Sequence, residues 1–147
     1  MLTQISPSHW RVDLHSPRIP VRAVLFKPDI EDLVEWPVVL VDAGKLFSCW
    51  ERDSYIVGPV GQWPASKRAG IEEFLDAEGG AINVPRAGIH MHQPRRTWWS
   101  FSSKSAAPVL SFINGRHRTR YLIDAGVDRL PIQVHASQAA LLRDSCA

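Results

Sequence analysis

The chain has 147 residues, 45% of them hydrophobic and 22% charged, with a formal net charge of +2. These are the proportions of an ordinary soluble globule, and the length suits one domain that buries about two-thirds of its unfolded surface. They exclude a membrane-spanning helix, because no stretch approaches the ~20 apolar residues needed. Only Cys49 and Cys146 are present, far apart in sequence, so nothing suggests a disulfide framework or a zinc site. The small net charge conceals a segregation. Residues 29–78 carry eleven acids against Lys45, Arg52, Lys67 and Arg68, whereas residues 79–123 carry seven bases and no acid. Such asymmetry suits a polyanion-binding surface, and equally two lobes of one domain that complement each other.

In chain order, residues 1–20 are polar and broken by Pro7, Pro17 and Pro20. They lack a basic-then-apolar leader pattern and are expected as an N-terminal arm, mobile or laid across a domain formed by residues 21–147. A reducing bacterial cytoplasm is the expected compartment. Residues 21–26 predict a first strand, followed by an acidic turn opened by Pro28. Residues 36–41 are nearly all apolar and predict a central strand. Asp42 is placed to cap a helix running to Trp50, with Leu46, Phe47 and Trp50 inward. Residues 54–64 form a loop holding Gly58-Pro59 and Gly61. A helix is predicted over 67–77, burying Ile71, Phe74 and Leu75, turning Glu72, Glu73 and Asp76 to solvent, and stopping at Gly79-Gly80.

Residues 82–92 predict the next strand. His90 and His92 alternate onto one of its faces, a spacing that suits a metal; with no third ligand nearby, a polar surface pair is the simpler reading. Arg95-Arg96 beside Trp98-Trp99 offers phosphate contacts next to rings on which bases stack. Arg95, Arg96, Trp98 and Arg120 are therefore candidate nucleic-acid-binding residues. Residues 130–135 predict a last strand, and Ser137 a cap for a terminal helix packed through Ala140 and Leu141.

The chemistry concentrates at residues 112–121, Phe-Ile-Asn-Gly-Arg-His-Arg-Thr-Arg-Tyr. An apolar strand over 108–113 leads into Asn114-Gly115, with Asn114 a suitable N-cap, and a helix follows that packs through Tyr121, Leu122 and Ala125 and closes at Gly126. A strand–turn–helix of this kind aims free backbone N–H groups and the positive helix end at one point. Arg116, His117, Arg118 and Arg120 crowd cations into the first turns, where the helix dipole prefers carboxylates. A bound anion, commonly phosphate, would compensate that cost; a solvated basic face is the competing explanation.

Asn-Gly-Arg-His-Arg after a strand, the short helix, Ala-Gly, and Leu130-Pro131-Ile132-Gln133-Val134 together resemble the ParB/sulfiredoxin superfamily. Within it the chain is most similar to plasmid fertility-inhibition factors of the FiwA and Osa type, to which Val39-Leu40-Val41-Asp42 and Tyr55-Ile56-Val57-Gly58-Pro59 also correspond. The resemblance implies an α+β single-domain fold, a small mixed sheet with short helices, and a nucleotide site at the strand–turn–helix. It implies ATP bound by Asn114, Gly115, Arg116, His117 and Arg118, with Gly58, Lys67 and Arg68 as secondary contacts, although the glycine loop here is less glycine-rich than the group's pattern. Arg116 stands where sulfiredoxins carry the reactive cysteine and ParB-like nucleotidases a magnesium-holding glutamate, which argues against sulfinic acid reduction. Mg²⁺ or Mn²⁺ would then be held by the phosphates or by a carboxylate from elsewhere, such as Asp42 or Glu72; the metal ligands are otherwise unknown. The short extension after the last strand argues against a chromosome-partition role.

The expected function is a plasmid-encoded fertility inhibitor that blocks conjugative or T-DNA transfer through a type IV secretion system. It would hydrolyse ATP with Arg116, His117 and Arg118 as catalytic residues and cleave DNA with a divalent metal. DNA and the secretion coupling protein are the implied partners, with a place at the inner-membrane secretion apparatus and no membrane insertion. The alternative is a non-catalytic inhibitor that clamps a coupling protein or relaxosome component; a weaker one is a simple DNA-binding module.

Overall fold

The computed structural model describes residues 1–93 and 105–147. Among them the chain forms eight strands and four α-helices in a mixed α+β arrangement. β1 (Leu2–Ser6) and β2 (His9–Asp13) make an antiparallel hairpin that continues onto β3 (Ala23–Lys27). The stretch expected as an arm is thus an integral part of a sheet. Alternate residues Trp10, Val12 and Leu14 of that stretch enter the core, which the proline-rich composition masks. β3 is flanked on its other side by the short parallel strand β5 (Ile82–Asn83).

β4 (Val38–Asp42) pairs antiparallel with β8 (Arg129–Gln133), and β6 (Ala87–His92) with β7 (Ala107–Phe112). The expected small mixed sheet is therefore divided into three sheets, and the single strand expected over 82–92 into β5 and β6. The break between them organises the molecule. Val84 donates to Lys27 O, Gln133 donates to Pro85 O, and Ile113 donates to Arg86 O, at 2.7, 2.9 and 2.8 Å. Residues 84–86 thereby stitch the four-stranded sheet to each of the other two sheets.

The helices cover this framework. α1 (Ala43–Trp50) starts as expected, with Asp42 Oδ1 accepting from Lys45 N, and buries Leu46 and Trp50 completely. α2 (Ala65–Leu75) buries only Leu75; Phe74, expected in the core, is 50% exposed. α3 (Arg116–Asp124) ends in a Schellman closure, Gly126 N to Ile123 O and Val127 N to Leu122 O, with Gly126 at φ +83°. α4 (Ala136–Cys146) is capped two residues before the expected position, by His135, whose Nδ1 accepts from the Ser137 amide. Its buried face is accordingly Ala139, Leu142 and Cys146, and Ala140 faces solvent. Cys49 on α1 and Cys146 on α4, distant in sequence, meet in the core with sulfurs 3.6 Å apart. Burial and the neighbouring sulfur push the Cys146 thiol up to about 12, so it stays a protonated packing group. No helix among the described residues is long and apolar enough to cross a membrane.

Candidate functional site

Three strand ends converge where β7 turns into α3. Ile113 and Asn114 both donate to Arg86 O, at 2.8 and 3.2 Å, which folds the chain back on residues 84–86. Gly115 follows at φ +79°, a conformation glycine adopts without the steric cost other residues bear. A side chain there would also crowd its neighbours. A Cβ there would lie 2.8 Å from Arg118 Nε and 3.0 Å from Pro85 Cβ.

Gly115 occupies the N-cap position of α3 and supplies no side-chain cap. Asn114, the expected cap, is used otherwise: its Oδ1 accepts from Arg86 N and its Nδ2 donates to Asp29 Oδ2, both at 2.8 Å. The reason is position, since Asn114 still belongs to the β7 side of the turn. The first amides of α3 are consequently left without a side-chain acceptor at the helix's positive end.

A cavity of about 570 Å³ opens over this turn. Residues 114–118 form one side of it, and Ile71, Phe74, Phe112 and Ile113 the other. Arg118 is half-buried and its guanidinium lies 5.5 Å above the Phe74 ring, with Nε unpartnered among the described residues. Burial lowers its pKa and the nearby Asp29 carboxylate opposes that, but a guanidinium still stays charged. Among the described residues neither Arg116 nor Arg118 is ion-paired. His117 is held below its ordinary value, first by burial and then by the positive charges of Lys67 and Arg116. The arrangement is a cationic, N–H-rich pocket that, among the described residues, no carboxylate lines.

The structure sorts the sequence-derived candidates into groups. Gly58, Lys67 and His117 come together through Trp63, whose Nε1 donates to Gly58 O at 3.0 Å. Lys67 Nζ lies 5.0 Å from its ring, and His117 packs edge-on at 5.7 Å. Arg68 leaves this group. It lines a second cavity of about 530 Å³, together with Arg18, Glu72, Tyr121 and Asp124. Arg120 is largely buried, its guanidinium over Phe47 at 4.6 Å and its Nε 2.9 Å from Asp124 Oδ1, so it braces α3 rather than offering a surface cation. Arg95, Arg96 and Trp98 lie outside the described residues. Among the described residues no three His, Cys, Asp or Glu side chains converge as a metal site. His90 and His92 are exposed, Asp42 is committed to capping α1, and Glu72, expected in solvent, accepts from Tyr121 Oη at 3.0 Å.

A family model described as plasmid fertility inhibition factor matches residues 38–147. The chain belongs to this family. The fold agrees with it: the crystal structure of the oncogenic suppression activity protein, a plasmid fertility inhibition factor solved as its gold(I) cyanide derivative, superimposes with a TM-score of 0.66. That match has 15% sequence identity and covers all of this chain and 75% of the other. None of the curated proteins matches.

In this fertility inhibition factor, four residues of the site escape a reading of the sequence: Asp29, Asn83, Arg86 and Gln133. Asp29 Oδ1 accepts from Asn83 Nδ2 at 2.8 Å, Oδ2 accepts from Asn114, and Arg86 Nη1 lies 3.5 Å away. Gln133 is fully buried and fully satisfied. Its Oε1 accepts from the Asp29 and Ile30 amides, and its Nε2 donates to Ile30 O and Trp36 O. Gln133 alone left a signal, as a lone amide in an apolar strand, since a buried amide must find partners.

Proposed function

We propose that this fertility inhibition factor binds a nucleoside triphosphate such as ATP by its phosphates at the 114–118 turn and hydrolyses it, in the service of blocking DNA transfer through a type IV secretion system. The observation that carries the reading is a cationic pocket at the start of α3 that no carboxylate lines among the described residues, with Arg118 half-buried beneath it and its Nε without a partner among those residues. Phosphate oxygens satisfy both helix-terminal N–H groups and guanidinium donors, and a charged acceptor on such groups contributes about 1.5–3 kcal/mol each. Arg116 and Arg118 would stabilise charge developing on the transferred phosphoryl, the dominant contribution in this chemistry. His117, neutral at rest, is available to accept a proton or orient a phosphate. Ile71 and Phe74 offer an apolar wall for the rest of the ligand. The described residues form no ready metal cage, so Mg²⁺ or Mn²⁺ belongs to this reading as part of the metal–nucleotide substrate. DNA cleavage is the linked activity in this proposal, drawn from the basic, aromatic composition of residues 95–99.

A second reading has its own support. Phe74 and Ile113 stand 50% and 57% exposed at the pocket mouth beside the exposed Arg116. An apolar rim with a cation suits docking against a coupling protein or relaxosome component without catalysis.

Phosphate release from ATP with Mg²⁺ or Mn²⁺, with and without DNA, separates the two. Arg118→Ala should abolish release while leaving the fold intact, and Arg68→Ala, in the other cavity, should change it by less than about twofold, since it lies outside the phosphate contacts. No release and no ATP-dependent thermal shift in the unsubstituted protein would leave the clamp.

A further inference from the structure

We infer that Asp29 is a positioning residue that holds the 114–118 turn, so that the segment preceding the family-matched region completes the anion site; the consequence for binding rests on the nucleotide reading above. Asp29 stands nine residues before the matched region begins, and it is absent from the lining of the pocket. It nevertheless supplies the hydrogen-bond acceptor of the Asn114 amide group, at 2.8 Å.

The connection runs unbroken from core to site. Gln133, with every donor and acceptor satisfied, fixes the Asp29 amide; Asn83 fixes Oδ1; Oδ2 then fixes Asn114, which also accepts from Arg86 N. Asn114 leads directly into Gly115, where the close approach of Pro85 and Arg118 leaves no slack. A carboxylate suits this place because it only accepts, and here it receives two amide donors at once. An asparagine would turn an NH₂ toward one of them. The carboxylate also sits near Arg86 and Arg118 from behind the turn, offsetting buried positive charge without entering the pocket as a competing anion.

The test compares Asp29→Ala, which removes the acceptor of Asn114, with Asn83→Ala, which removes the other bond to Asp29 but leaves its contact with Asn114. Hydrogen exchange is followed at the Ile113, Asn114 and Thr119 amides, which are hydrogen-bonded around the turn, and ATP affinity is measured well below each variant's melting temperature. D29A should speed exchange at all three by about tenfold and weaken ATP by a similar factor, the loss of about one buried hydrogen bond, whereas N83A changes both by about twofold or less. Equal effects of the two variants, or unchanged exchange in D29A, would overturn the inference. If D29A does not fold, Asn114→Ala removes the same contact from the other side and must loosen the same amides; unchanged exchange there also overturns it. Loosened amides in a protein that binds no ATP would uphold the positioning role and refute the nucleotide reading instead.

Discussion

α3 lines two cavities of nearly equal size, one through Arg116, His117 and Arg118 at its start and the other through Tyr121, Asp124 and Ala125 further along, and the two differ in which charges line them. In the second, Arg18 and Arg68 are faced by Glu72 and Asp124, and both carboxylates are engaged: Glu72 by Tyr121 Oη, and Asp124 by Arg120 and the Val60 amide at 2.8 Å. In the first, Arg116 and Arg118 face apolar side chains and backbone N–H groups, and the one nearby carboxylate, Asp29, is withdrawn behind Asn114. Acids thus share the lining of the second cavity, whereas among the described residues the cations of the first have none in theirs. Composition does not distinguish them, since arginines line both. What distinguishes them is whether carboxylates stand in the lining beside the arginines.

The largest effect expected from that contrast is at glycine. Gly115→Ala should eliminate ATP binding and lower stability by at least ~1–2 kcal/mol, because the residue is left-handed and its Cβ collides with Arg118 and Pro85. Gly61→Ala beside the second cavity meets nothing within 4 Å and should leave affinity and melting temperature near the parent values. Parallel melts with and without ATP would decide it, and an unaffected Gly115→Ala would remove the steric basis of the site.

Next in size is the pH response of the first cavity. His117 is held below its ordinary 6.5 when the pocket holds only its own cations, and a bound anion raises it, so anion binding takes up a proton. ATP affinity should therefore strengthen by about three- to tenfold as pH falls from neutrality toward the lower, unliganded pKa. His117→Gln should flatten that dependence. Stability without ligand moves the opposite way. The unfolded chain binds the His117 proton more readily, so this residue's contribution is complete above 6.5 and is lost as pH falls below it. Calorimetric titration at several pH values reads the first effect and thermal melts the second.

The smallest effect belongs to the second cavity. Tyr121→Phe removes the hydrogen bond to Glu72 and should cost about 1 kcal/mol of stability, visible in denaturant unfolding, with no change in ATP affinity. A change in affinity would mean that the two cavities are coupled after all.

By itself the sequence determined what depends on neighbours along the chain. Asp42 caps α1, Gly126 closes α3, and β7, Asn114-Gly115 and the arginine cluster follow one another as their local propensities dictate. Hydrogen bonds spanning three or four residues need only the right side chain at the right spacing. Only the tertiary structure decided the rest. A hairpin with Trp10 and Val12 inward replaced the expected arm, Asn114 was drawn away from capping, and Arg120 was folded over Phe47. It also brought Asp29 to Asn114 across 85 residues and Gln133 to Asp29 across 104. Buried donors and acceptors must be satisfied by whichever element the packing brings into reach, and no local pattern in the chain carries that information.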